Sequence, residues 1–279
     1  MRLARVIKDD KIGLAAKSGD KVTVAFGTDL ADLDSHIAAS TLAEAGAKAA
    51  AGDTVDEASL TFLPPVRRPS KIICLGLNYR DHAEESGLGI PEFPVLFARF
   101  ASSLIGHGAP IILPKASTQL DWEAELVAVL SKGGKNIAEA DALNHVAGYS
   151  VFNDASIRDY QLRTPQWTAG KNFDDTGAFG PWLVTPDELP AGASGLKIEC
   201  RVNGTVMQSS NTGNLIFDVA KTIALLSSFM TLEAGDVLVM GTPGGVGVAR
   251  NPQVWMKAGD VCEVEIEGVG LLSNPIIAE

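Results

Sequence analysis

Positive charge, cysteine, histidine and long apolar runs are all scarce in this chain. Lysine and arginine total 23 against 34 aspartates and glutamates, a net charge of −11 that argues against nucleic acid or an anionic membrane as a partner. No apolar stretch reaches the length of a membrane span, and Met1 to Asp10 lacks the apolar core of a secretory signal. A cytoplasmic protein with no membrane partner is therefore expected. The three cysteines, Cys74, Cys200 and Cys262, each fall inside a strand-like run, and none belongs to a Cys-x-x-Cys pair, which points to reduced, packed thiols. No Gly-Lys-Ser/Thr closes a glycine-rich loop and no Gly-x-Gly-x-x-Gly joins a strand to a helix, so a nucleotide cofactor is not expected. Internal repeats and low-complexity segments are absent as well.

What is present is the composition of a folded protein. With 46% hydrophobic and 20% charged residues, the 279-residue chain is long enough for one large domain, or a main domain with a small appendage. Residues 1–30 alternate in polarity between turn signals such as Ser18-Gly19-Asp20 and predict two or three antiparallel strands, while 31–52 carry an alanine-rich helical pattern. Pro64, Pro65 and Pro69 mark a linker, because proline continues neither a helix nor a central strand. The expected division is a small N-terminal α/β unit over 1–65 and a larger unit over 66–279. The larger unit reads as mixed α+β and mostly β: a hairpin turning at Asn203-Gly204, one amphipathic helix from Leu215 to Met230, and buried strands at Asp236 to Met240 and Val261 to Ile266.

The stretch most at odds with its surroundings is Asp-Trp-Glu-Ala-Glu (121–125). Gln119 to Leu130 reads as one strand, so Glu123 and Glu125 share a face that Val127 and Val129 continue as an apolar one. Trp122, Ala124 and Leu126 occupy the other face, and the strand reads as buried on both sides. Adjacent carboxylates in such a place repel each other and lose hydration unless a cation lies between them. Asp154, at the end of the apolar run from Val146 to Phe152, supplies a third. Three carboxylates suit a hard divalent ion, Mg²⁺, Mn²⁺ or Ca²⁺, and the lack of histidine or thiolate nearby in sequence argues against zinc. The alternative is a half-exposed strand with both glutamates on its wet face.

Four further pieces carry candidate chemistry. After the short strand from Lys71 to Leu77, a helix starting near Tyr79 to Asp81 would set His82 and Glu85 one turn apart, close enough for the carboxylate to orient the imidazole. The same pattern fits a plain surface helix, and Ser86-Gly87-Leu88-Gly89 beyond it reads as a lid segment. Asp154, Arg158 and Gln161 fall on one helical face, where an Arg158–Asp154 salt bridge is the ordinary reading of the spacing. Gly170-Lys171-Asn172-Phe173-Asp174 reads as an irregular loop whose lysine offers positive charge to an anionic substrate. Gly241-Thr242-Pro243-Gly244-Gly245-Val246-Gly247 is rich in backbone donors that could hold an anion.

Together, Gly-Leu-Asn-Tyr-Arg-Asp-His (76–82), Asp-Trp-Glu-Ala-Glu-Leu (121–126), Asn-Asp-Ala-Ser-Ile-Arg-Asp (153–159), Gly-Lys-Asn-Phe-Asp (170–174), Gly-Pro-Trp (180–182) and the 241–247 loop occur in an order and spacing that resemble the fumarylacetoacetate hydrolase family. The resemblance covers about residues 66–277. It implies a mixed β-roll core, a homodimer, and a divalent metal, Mg²⁺ or Mn²⁺ with Ca²⁺ as a further option, held by Glu123, Glu125 and Asp154. It also implies a catalytic His82–Glu85 pair, Lys171 as the catalytic lysine, and Arg158, Gln161 and Thr242 in substrate contact.

The activity so implied is metal-dependent hydrolysis of a C–C bond in a small 2,4-diketo acid of the acylpyruvate type, including diketo-deoxy sugar acids. It would yield pyruvate and a carboxylic acid, with the metal as Lewis acid and His82 activating water. The same site without an activated water would decarboxylate or tautomerise oxaloacetate, or act on a 2-hydroxymuconate-type 2-oxo acid. A rival from another class is a metal-binding protein with a dead site.

Overall fold

The computed structural model describes residues 1–81 and 91–279, so the expected His82–Glu85 pair and the glycine-rich segment after it lie outside the described residues. The alternating N-terminal pattern folds as three antiparallel strands, Arg2–Lys8, Lys11–Ser18 and Lys21–Phe26, followed in space by Asp53–Val55. Helices Leu33–Ala38 and Leu42–Ala50 bury Leu33, Ile37, Ala45 and Ala49 beside them. The first of these helices starts at Asp32, whose carboxylate accepts the Ser35 N–H, an ordinary N-cap. The proline-rich stretch that follows is packed: Leu63 N–H donates to the Arg5 carbonyl, the Arg5 guanidinium donates to the Ala31 and Pro64 carbonyls, and Val66 is buried.

The first strand also pairs with Gly177–Val184, through Arg2 to Val184 and Leu3 to Leu183, which makes the N-terminal strands part of one twelve-stranded sheet. From Gly177–Val184 the sheet runs through Val146–Asp154, Ala124–Leu130, Val237–Val239 and Ile72–Gly76 to Val95–Ala98. Neighbours along this path are antiparallel except Val237–Val239 and Ile72–Gly76, which are parallel. A second sheet of five strands packs on it in the order Thr205–Asn211, Lys197–Val202, Val261–Ile266, Gly270–Ala278 and Ile111–Leu113. Its hairpin turns at Asn203 and Gly204 with φ of 52° and 76°, the left-handed pair that a type I′ turn requires and that Asn-Gly tolerates.

The fold is thus predominantly β, with cores on both faces of the large sheet. Leu126, Ala128, Tyr149 and Val151 meet Ile198, Cys200, Val264 and Leu272 of the second sheet, while Val127, Val129, Phe152, Val237 and Val239 join the N-terminal helices on the opposite face. Ala124–Leu130 is buried along its whole length, as a strand apolar on both faces should be. Asp218 caps helix Val219–Phe229, which starts later than the apolar pattern suggested because this carboxylate accepts the Lys221 N–H. No helix among the described residues is long and apolar enough to cross a membrane.

The expected single strand from Gln119 to Leu130 is interrupted. Leu120–Asp121 pairs with Ser156–Ile157, Ala124–Leu130 joins the large sheet, and Trp122 and Glu123 lie between. The cause is local: the N–H groups of Trp122, Glu123 and Ala124 donate to Asp121 Oδ1, Asn153 Oδ1 and Gln208 Oε1. Side-chain acceptors here replace ladder carbonyls and release the chain from a straight course. The register then sets the site, with Ala124 opposite Asn153, Val127 opposite Val239, and Val239 opposite Cys74. Glu125, Asp154, Gly241 and Gly76 accordingly lie at strand ends along one edge.

Candidate active site

Glu123, Glu125 and Asp154 meet at that edge, and each offers an oxygen within 4.8 Å of the other two. One hard divalent ion spans such distances, since opposite oxygens lie about 4.2 Å apart around Mg²⁺ and about 4.8 Å apart around Ca²⁺. Their residue exposures are 6%, 1% and 0%. The wet-face alternative therefore fails, because the strand is interior to the sheet and covered on both faces.

Three buried cations surround the cup. Lys171 Nζ lies 2.6 Å from Glu123 Oε2 and 2.7 Å from Asp154 Oδ2. Arg158 places Nη1 2.6 Å from Glu123 Oε1 and Nε 2.8 Å from Asp121 Oδ2. Arg99 Nη1 donates to Asp154 Oδ1 and Nη2 to Thr176 Oγ1. The expected Arg158–Asp154 bridge is not formed. Asp154 ends a strand and the helix spans only Arg158–Gln161, so the two residues never share a helical face. Lys171 likewise ends a one-turn helix, Thr168–Lys171, in place of the expected irregular loop. Gly170 permits its approach, since a Cβ there would lie 2.4 Å from the Gln161 backbone nitrogen.

Four buried carboxylates, Asp121, Glu123, Glu125 and Asp154, thus face three buried cations, and Glu125 is the acid left over. It accepts the Gly241 N–H at 2.5 Å, and among the described residues no cationic side chain lies within ion-pair distance of it. Burial, then the Asp154 and Glu123 charges, push its carboxyl well above the usual carboxylate range. Glu123 behaves oppositely: burial would raise it, but Lys171 and Arg158 together outweigh burial and hold it at about 2. Burial also works against the Lys171 ammonium, yet Asp154 and Glu123 hold its pKa above the ordinary lysine value. Burial, then the Asp154 and Glu125 charges, push the Cys74 thiol well above its ordinary value. An all-oxygen cup with surplus negative charge fits a hard divalent cation.

The glycine-rich loop does hold anions, and they are the protein's own carboxylates. Gly241 N–H donates to Glu125, and Gly247 and Val248 N–H donate to Asp121 at 2.7 and 2.9 Å. Gly241, with φ of 91°, occupies a conformation that glycine reaches without strain. Thr242 Oγ1 accepts from Gln208 Nε2 at 2.8 Å and lines, with Glu123, Glu125, Arg158, Gln161 and Lys171, a cleft of about 190 Å³. Leu75, Phe97, Leu162, Trp167 and Val246 add an apolar wall. Gln161 Oε1 accepts from Arg158 Nη1 at 2.8 Å, while Arg158 Nη2 is buried without a partner among the described residues.

Six of the nine expected site residues therefore line one cleft, Asp154 joins Glu123 and Glu125 in the cup beside it, and the other two, His82 and Glu85, lie outside the described residues. Sequence reasoning passed over Arg99 and Asp121. Asp121 stands in the acidic pentapeptide itself, whereas nothing local to Arg99 signals a partner 55 residues away.

Residues 71–277 match the family described as fumarylacetoacetate (FAA) hydrolase C-terminal. The mitochondrial oxaloacetate tautomerase fahd2 of Xenopus laevis is 46% identical over 225 residues, which cover 80% of this chain and 70% of that protein. Among solved structures, a fumarylacetoacetate hydrolase from psychrophilic Exiguobacterium antarcticum aligns over 100% of both chains with a TM-score of 0.90 and 33% identity. A maleylpyruvate hydrolase from Sphingobium sp. SYK-6, in complex with manganese (II) ion and pyruvate, aligns over 100% of this chain and 99% of its own with a TM-score of 0.81 and 26% identity. On this sequence match and this fold, the chain belongs to the fumarylacetoacetate hydrolase family.

Proposed function

We propose that this protein is a divalent-metal-dependent enzyme that interconverts the keto and enol forms of a small 2-oxo acid of the oxaloacetate type, with Mg²⁺ or Mn²⁺ held by Glu123, Glu125 and Asp154. The observation that carries the reading is Glu125, a buried carboxylate with no cationic side chain within ion-pair distance among the described residues, beside two acids already paired with Lys171, Arg158 and Arg99. The 46% identity to an oxaloacetate tautomerase favours this chemistry over acylpyruvate hydrolysis, the activity expected first from the sequence. Hydrolysis stands as the second reading, favoured by the likeness to a maleylpyruvate hydrolase.

When bound, the metal supplies Lewis acidity at the keto oxygen, which makes loss of a proton from the neighbouring carbon less costly. Arg158 and Gln161, which line the cleft, bind and orient the substrate carboxylate. Lys171, with Nζ 2.6 Å from Glu123 Oε2 and 2.7 Å from Asp154 Oδ2, stabilises developing negative charge beside the cup. Thr242 borders the same donors. His82, oriented by Glu85, is proposed as the group that takes and returns the proton. A homodimer is proposed on the family resemblance, and light scattering that found a stable monomer would contradict it.

The test is enol loss from oxaloacetate, run beside hydrolysis of an acylpyruvate with the same metal-loaded preparation. The expected result is metal-dependent enol loss that outpaces C–C cleavage, and a drop of about 10² to 10⁴ in His82→Ala at unchanged metal affinity. Rapid acylpyruvate cleavage with oxaloacetate at its uncatalysed rate would favour the second reading.

A further inference from the structure

We propose that Asp121 is a positioning residue that locks the substrate-binding side of the cleft, by tying Arg158 to the Gly247–Ala249 turn through one buried carboxylate. The proposal rests on the reading of Arg158 as a substrate contact.

Asp121 is fully buried and both of its oxygens are shared. Oδ1 accepts the Gly247 N–H at 2.7 Å and the Trp122 N–H at 2.8 Å, while Oδ2 accepts the Val248 N–H at 2.9 Å and Arg158 Nε at 2.8 Å. The turn's approach is close: a Cβ on Gly247 would lie 2.7 Å from Asp121 Oδ1 and 2.0 Å from the Val254 carbonyl oxygen. Val248 and Ala249, carried by this turn, wall the cleft together with Arg158, whereas Asp121 stands behind them and does not line it.

Charge-assisted hydrogen bonds are short and directional, so a carboxylate on Nε fixes the plane of the guanidinium. With that plane fixed, Nη1 is divided between Glu123 and Gln161, and Nη2 is left without a partner among the described residues. Without Asp121, Glu123 becomes the sole carboxylate partner of Arg158, and the guanidinium turns toward the metal cup and away from substrate. Asp121 thereby keeps a cation beside the cup from collapsing onto it.

The test is steady-state kinetics on oxaloacetate together with Mn²⁺ affinity. Asp121→Asn is expected to raise KM about tenfold to a hundredfold, the usual worth of a hydrogen bond to a charged group, with a smaller change in kcat and Mn²⁺ affinity near wild type. In an Arg158→Met background the same substitution should add less to KM than it does in the wild type, since one of the two elements it ties is gone. A wild-type KM in Asp121→Asn beside a raised KM in Arg158→Met removes this proposal alone. Independent addition of the two effects, or loss of Mn²⁺ binding in Asp121→Asn, also overturns it. An unchanged KM in Arg158→Met removes the underlying reading of Arg158, and this proposal with it. Should Asp121→Asn fail to fold, Val248→Pro deletes one donor to the same carboxylate: a raised KM at unchanged Mn²⁺ affinity supports the tie, and a wild-type KM overturns it.

Discussion

Glu125 is a buried acid for which the described residues supply no counter-charge, and that imbalance has a measurable consequence in metal-free protein. Its folded pKa lies above the free value of about 4.3. Below that free value both folded and unfolded chains are protonated and the group is neutral to stability. As pH rises from there toward the folded value, the unfolded chain releases its proton first, so the stability of the metal-free protein falls with pH. Glu125→Gln should therefore raise the melting temperature in excess chelator at pH 7, flatten its fall between pH 5 and pH 8, and abolish metal binding. Thermal unfolding in chelator checks this, and a variant no more stable than wild type would contradict it. The three acids were legible in sequence because carboxylates set against apolar runs betray acids forced inward, although Glu123 lies in the interruption between strands and not on the face that period-two spacing gave it. The partner of Arg158 was not, since it depends on pairing between Leu120–Asp121 and Ser156–Ile157, a contact that no local pattern encodes.

At the scale of elements, the site depends on short pieces held in place by close backbone approach. Helix Thr168–Lys171 sits against Gln161 only because residue 170 has no side chain; a Cβ there would meet the Gln161 nitrogen and Cβ at 2.4 Å each. Gly170→Ala should cost about 1–3 kcal/mol in stability, as overpacking does, and should lower kcat by displacing Lys171 from Glu123 and Asp154. Denaturant unfolding and kinetics on the same preparation check both effects, and wild-type values in each would contradict the packing account. Elements set by local rules were readable in advance, namely the Asn-Gly hairpin and the strand ending at Asp154, whereas the helix read from Leu215 begins only behind its Asp218 cap. The interruption at Trp122 and Glu123 was not, because the acceptors responsible lie 30 residues away at Asn153 and 84 away at Gln208.

At the scale of the whole molecule, residues 1–65 read in sequence as a separate unit, and we retain that division as a proposal. In space their first strand completes the edge of Gly177–Val184, and Leu3 and Leu14 share a core with Phe179 and Leu183. The junction is a two-residue register between segments about 180 apart in the chain, which periodicity does not reveal. Removing residues 1–65 should expose a sheet edge and apolar surface worth about 1.5–3 kcal/mol for each fully buried leucine lost. The truncated chain is therefore expected to melt lower than the full chain or to aggregate, and equal melting temperatures would instead support an independent unit.

The central claim is that the acids at Glu123, Glu125 and Asp154 form a working metal site. Its most direct test is metal content and oxaloacetate enol loss measured on one preparation, first as purified, then in excess chelator, then after restoring Mg²⁺ or Mn²⁺. Activity should fall with the metal and return with it, with no return in folded Glu125→Gln. Full activity in excess chelator, with no metal found by elemental analysis, would contradict the claim.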